Sequence, residues 1–138
     1  MRLTWAEHVS VAALVLSLSA CVAPRPLRCH SGEQLAVADS LYFGTQMPNG
    51  IVTNEEWSRF LQDVVTPRFP RGLTVSDASG QWLSANGSPA RESTHILHLV
   101  HPDDAADDAL LAGVISEYKS RFAQESVLRV KVNACVTF

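Results

Sequence analysis

The chain has 138 residues, 46% of them hydrophobic and 18% charged, with a formal net charge of −3 from 11 Lys+Arg against 14 Asp+Glu. That length suits one domain. The cations form no basic block, which sets nucleic acid aside as a partner.

The first element in chain order is a targeting segment. Arg2 and the amino group make a thin positive start, although Glu7 is unusual there. VSVAALVLSLSA, residues 9–20, is apolar and uncharged. It falls short of the ~20 residues that span a bilayer and suits the core of a secretory signal. Leu18-Ser19-Ala20-Cys21 is similar to the lipobox of bacterial lipoproteins: a branched apolar residue, two small ones, then cysteine. The resemblance implies removal of residues 1–20 and lipid on the Cys21 thiol. The protein would then sit in the cell envelope, anchored in a bacterial membrane and facing the periplasm or the exterior.

With Cys21 lipidated, Cys29 and Cys135 remain as an even pair in an oxidising compartment. Two arrangements suit them. A disulfide would close a loop of roughly 106 residues, worth ~4–5 kcal/mol in the chain-entropy model; otherwise Cys135 is buried and Cys29 free. The disulfide is the expectation.

Residues 21–36 hold two prolines, Pro24 and Pro26, and no apolar period, and read as a tether to a domain at 37–138. The first strand lies in VADSLYFGT, with Leu41 and Phe43 on one face and Tyr42 and Gly44 on the other. A turn follows at Pro48, Asn49 and Gly50. Thr53 and Glu56 form a capping box, with Val52 and Trp57 as a hydrophobic staple. The helix they open carries Trp57, Phe60, Leu61, Val64 and Val65 on one stripe, and Pro67 stops it at Thr66.

A second strand begins at LTVSD, residues 73–77, and either continues past an irregularity at Gly80 or turns back as an extra hairpin. NGSP, residues 86–89, is a hairpin tip. STHILHLVH, residues 93–101, is apolar on both faces, as expected of a central strand. The second helix, residues 107–122, places Leu111, Val114, Ile115, Tyr118 and Phe122 on one stripe. In the last strand, residues 127–138, Leu128, Val130, Val132, Ala134, Val136 and Phe138 alternate with Arg129, Lys131 and Asn133. The apolar set is expected against the core. The order β-α-β-β-α-β is the split βαβ of an α+β, ferredoxin-like fold: a four-stranded antiparallel sheet with both helices on one face.

LYFGT at 41–45, VTPRFPRGLTVSDASGQW at 65–82 and RFAQESVLRV at 121–130 together resemble the bacterial domain of unknown function 3574 family. The resemblance spans roughly residues 29–138. It implies a small exported bacterial domain and lends no catalytic residues.

Chemistry is sparse. The sequence has no G-x-S-x-G, Walker loop, H-E-x-x-H or C-x-x-C, so no catalytic residue and no cofactor is expected. His95, His98 and His101 are no metal triad: on a strand His98 faces away from the other two, which lie ~20 Å apart. Asp103, Asp104, Asp107 and Asp108 cap the second helix, so no metal site is expected there either. Glu125, near a helix C-terminus, opposes the helix dipole. It is expected to pair with Arg68, Arg121 or Arg129 and so hold the corner. The competing reading places Tyr42, Arg68, His98, Glu125 and Arg129 around a polar pocket on the open sheet face.

The expected function is a membrane-anchored, non-catalytic module that uses its uncovered sheet face to bind an envelope protein, a second copy of itself as a homodimer, or a small ligand. The alternative is a small enzyme or ligand-processing domain of the dimeric α+β barrel type.

Overall fold

A computed structural model describes residues 27–83 and 87–138. Cys21, the signal segment and residues 84–86 of the hairpin tip lie outside the described residues. Among those described, no helix is long and apolar enough to cross a membrane.

Four long strands and two helices make up the domain: β1 (Gln34–Gly44), α1 (Asn54–Phe60), β2 (Thr74–Leu83), β3 (Pro89–His101), α2 (Ala105–Arg121) and β4 (Leu128–Val136). The strands form one antiparallel sheet in the order β2-β3-β1-β4. A small ribbon, Gln46–Met47 against Gly50–Ile51, follows β1. This is the ferredoxin-like α+β arrangement. β1 starts at Gln34, so the last residues assigned to the tether belong to the sheet, and Ala36 is buried in it.

Local chemistry sets the helices. Thr53 Oγ1 accepts from the Glu56 N–H at 3.2 Å, and the Glu56 carboxylate accepts from the Thr53 N–H at 2.8 Å, completing the capping box. After Phe60 the helix widens into a π-turn over Leu61–Val65, closed by Thr66 N–H donating to Leu61 O at 2.8 Å. The extra residue lets Val64 and Val65 both reach the core, while Leu61 stays half-buried. α2 starts two residues earlier than the sequence suggests. Asp104 is its N-cap, accepting from the Asp107 N–H at 2.8 Å.

The core lies between the sheet and the helices. Phe43, Trp57, Phe60, Tyr118 and Phe122 form an aromatic cluster, with Phe43 and Tyr118 centroids 4.6 Å apart. Tyr118 donates its hydroxyl to the Gly44 carbonyl at 2.9 Å, so its one polar atom is satisfied. Burial, helped by Glu92 and Glu56, pushes that phenol well above its ordinary value.

β2 corrects one expectation. Its pairing with β3 runs unbroken from Thr74↔His98 to Leu83↔Pro89, with Gly80 opposite Glu92. There is neither an irregularity at Gly80 nor an extra hairpin.

β4 corrects another. Arg129 stands opposite Leu41 and Lys131 opposite Asp39, both on the helix side, whereas Val130 and Val132 stand opposite Ser40 and Ala38 on the open side. The apolar set therefore faces outward: Leu128 is 60% exposed, Val130 41% and Val132 54%. Asp39 is the reason. Its parity in β1 matches Val37, Leu41 and Phe43, so it is buried on the helix side and needs cations there.

The leader is fastened to this edge by a Cys29–Cys135 disulfide.

Candidate functional site

Two polar constellations stand out, one on each side of the sheet. On the helix side, Arg129 donates to Asp39 Oδ1 at 2.7 Å and Oδ2 at 2.6 Å, and to Asp108 Oδ1 at 2.6 Å. Lys131 Nζ reaches Asp103 at 2.9 Å and Asp108 at 3.0 Å. His101 Nε2 lies 2.7 Å from Asp39 Oδ2, and its Nδ1 lies 2.7 Å from the Pro102 carbonyl oxygen. Burial alone would raise the Asp39 carboxyl, but the hydrogen bonds from Arg129 and His101 outweigh it and hold it below the usual range. Asp39 and Asp108 in turn hold the Arg129 guanidinium charged. Arg129, Lys131 and His101 each have a carboxylate partner here, and the group clamps β4 to β1 and α2.

On the open side lies a cleft of about 590 Å³ at the end of the sheet where β1 finishes. Its floor is Gly44, Gly80 and Thr94, its walls include Tyr42 and Trp82, and Glu92 projects into it. The rim comes from Met47 and Pro48 of the ribbon and from the corner after α2. The two glycines matter for the space they leave. A Cβ on Gly44 would sit 2.4 Å from Glu92 Oε1, the atom that accepts from the Gln46 N–H at 2.8 Å. Any side chain at position 44 would unseat that carboxylate.

The corner after α2 is built from Ala123 and Gln124. Ala123 has φ 50, the left-handed conformation that glycine usually takes after a helix. Gln124 N–H then donates to Lys119 O at 3.0 Å, closing the helix end. The Gln124 amide donates to the carbonyls of Gln46, at 2.5 Å, and Phe122, at 3.2 Å, tying the corner to the ribbon. The expected salt bridge of Glu125 is not formed. Arg121 pairs with Glu117, Arg129 with Asp39 and Asp108, and Arg68 donates to the Val64 carbonyl. Glu125 has no hydrogen-bond or ion-pair partner among the described residues and lines the cleft.

The five candidate pocket residues thus separate. Tyr42 and Glu125 line the cleft. His98 is on the same face farther along, its Nδ1 3.1 Å from Ser40 Oγ and its Nε2 3.5 Å from Ser76 Oγ. Arg68 and Arg129 lie on the helix side, away from the cleft. Glu92, Trp82 and the two glycines were not singled out as site residues in the sequence. Their only signal was a glycine within each of two strands, which often marks a close approach.

The other histidines are structural. His95 Nδ1 lies 2.7 Å from Asp77 Oδ1, with its ring stacked on Trp57 at 4.7 Å and 6°. Among the described residues one group is compact enough for a metal ion: Cys29, Glu33 and Cys135. Both sulfurs are in the disulfide, so neither is available as a thiolate ligand.

The sequence pattern of the family described as "Protein of unknown function (DUF3574)" matches residues 38–138. The chain belongs to this family. In the DUF3574 domain, the match covers all four strands from within β1 and both helices. No curated protein matches the chain. Among solved structures it is similar to a phage SAM lyase in complex with S-methyl-5′-thioadenosine, with a TM-score of 0.56 and 13% identity, covering 81% of this chain and 95% of that one. It is likewise similar to a phage SAM lyase in the apo state, with a TM-score of 0.51 and 14% identity over 83% and 97% of the two chains. At such identities the likeness concerns the fold alone.

Proposed function

We propose that this DUF3574 protein is a non-catalytic interaction module of the bacterial cell envelope, moored by lipid at Cys21, which pairs with a second copy of itself through the open face of its sheet. The observation that carries the pairing is the outward apolar face of β4. Leu128, Val130 and Val132 are exposed, and Val100 of β3, at 45% exposure, adds to them. Small side chains, Ala36, Ala38 and Ser40 of β1, occupy the middle of this face and permit close approach.

Charge distribution supports the same reading. By strand parity and register, Glu92 is the one acidic or basic side chain this face carries among the described strand residues apart from His98. Depletion of charge at the centre is the compositional mark of an interface. Four strands ~4.8 Å apart and about nine residues long offer a plane of roughly 19 by 30 Å. That is about 570 Å² per partner, at the low end of specific interfaces. Two such sheets would stack ~10 Å apart, covering both apolar faces at once.

Sedimentation equilibrium of the mature chain tests the pairing. A concentration-dependent dimer that Val132→Glu converts to monomer, with its melting unchanged, supports it. A strict monomer at high concentration overturns it. Metabolic labelling with a palmitate analogue tests the mooring: an unlabelled, full-length chain rules it out.

A second reading, a small ligand-processing enzyme, is favoured by the cleft at the end of the same face, and the phage SAM lyases supply a fold precedent. Turnover that is abolished by Glu125→Gln without loss of stability would displace the non-catalytic reading.

A further inference from the structure

The cleft on the open face has a charge signature of its own. Two carboxylates line it, those of Glu92 and Glu125, and no Lys, Arg or His does so among the described residues. Glu92 is fixed in place by the Gln46 N–H and by the absence of a side chain at Gly44. Glu125 is unpaired. Asp39, Asp103, Asp107, Asp108 and Glu117 each lie within 4.0 Å of a lysine or arginine, whereas among the described residues Glu92 and Glu125 do not.

The walls complete the signature. Trp82, half-exposed, and Tyr42 bring aromatic surface to the same space. Aromatic faces attract cations through their quadrupole, best of all when the cation is an organic one that sheds water easily. A volume of about 590 Å³ is of the size that small-molecule sites occupy. An anion would meet two carboxylates and no cationic side chain. A neutral apolar molecule would leave both carboxylates without a counter-charge.

From this combination we infer that the cleft binds a small organic cation, a quaternary ammonium or sulfonium group on a compact body, held between the aromatic walls with Glu92 and Glu125 supplying the counter-charge. The lining comes from a single chain, and Leu128 borders both the cleft and the pairing surface. The monomeric Val132→Glu variant is therefore expected to bind at least as well as the parent, which separates a failure here from a failure of the pairing.

Choline and its neutral carbon isostere, 3,3-dimethylbutan-1-ol, are the probes, titrated into the mature chain while Trp82 emission and heat are followed. Choline is expected to saturate and to perturb the emission, with the isostere binding roughly ten-fold more weakly. Glu125→Gln and Glu92→Gln each weaken choline roughly three- to ten-fold. Glutamine at 92 still offers an oxygen to the Gln46 N–H. Trp82→Leu weakens choline roughly three-fold, and rising salt weakens it further. Should Glu92→Gln fail to fold, Glu125→Gln, an exposed change, carries the charge test alone. No saturation by choline at tens of millimolar, equal binding of the isostere, or unaltered choline binding in Glu125→Gln would each overturn the inference.

Discussion

Arg129 holds the buried carboxylate of Asp39 through two parallel hydrogen bonds, 2.7 Å to one oxygen and 2.6 Å to the other. The pair joins the edge strand β4 to the central strand β1 on the helix side. Asp39 has no exposure of its own, whereas the guanidinium keeps a partly open flank. Removing Arg129 would leave the buried Asp39 carboxylate with His101 as its remaining side-chain partner. Arg129→Ala is expected to cost about 3–5 kcal/mol in urea unfolding. Arg129→Lys keeps the charge but loses the fork, and should fall between that variant and the parent. An Arg129→Ala variant as stable as the parent would show that the pair contributes nothing.

The same carboxylate sets an acid limit. Its folded-state pKa lies below the ordinary value, because the hydrogen bonds from Arg129 and His101 overcome the effect of burial. A depressed carboxylate stabilises the fold above its unfolded pKa of about 3.9, and that stabilisation fades as pH falls through the folded value. Stability should therefore decline in acid below about pH 4, and more gently in Asp39→Asn. Melting curves between pH 2 and 6 for the two proteins give the comparison.

The disulfide closes a loop with a sequence separation of 106. Constraining so long a segment of the unfolded chain is worth about 4–5 kcal/mol in the chain-entropy model. The Cys29→Ser, Cys135→Ser double variant should lose stability of that order in denaturant unfolding. A loss under 1 kcal/mol would mean that the unfolded chain is already compact.

Ala123 offers the opposite sign. It adopts the left-handed conformation at φ 50 with a Cβ that glycine would lack. Ala123→Gly should raise stability by about 0.5–1 kcal/mol, the strain removed at the helix end exceeding the entropy added to the unfolded chain. Thermal melting at neutral pH would show it directly.

Much of the fold could be read from local chemistry. Thr53, Glu56, Val52 and Trp57 marked the start of α1 because caps and staples act within a few residues. The alternation around Leu41 and Phe43 placed β1. What failed was a question of which way a pattern faces. β4 alternates cleanly, yet alternation cannot say which of its sides meets the helices. Asp39 held the missing information, since an acid at a core parity requires a base opposite, and Arg129 is the base that reaches it.

The cleft was harder to see. Gly44, Gly80 and Glu92 belong to three strands, and only the register brings them together. Glu125 and Tyr42 could be singled out as polar groups near strand ends. Their separation from Arg68 and Arg129 depended on the face each strand turns outward.

The sulfur link has a mechanical consequence as well. Cys29 precedes β1, and Cys135 stands opposite Leu35 near the last residue of β4. A pull transmitted along the leader enters at that corner and loads a covalent bond before it loads any backbone pairing between the two strands. The outer seam of the sheet cannot be unzipped from this end, so drag on the protein would have to be dissipated elsewhere in the sheet.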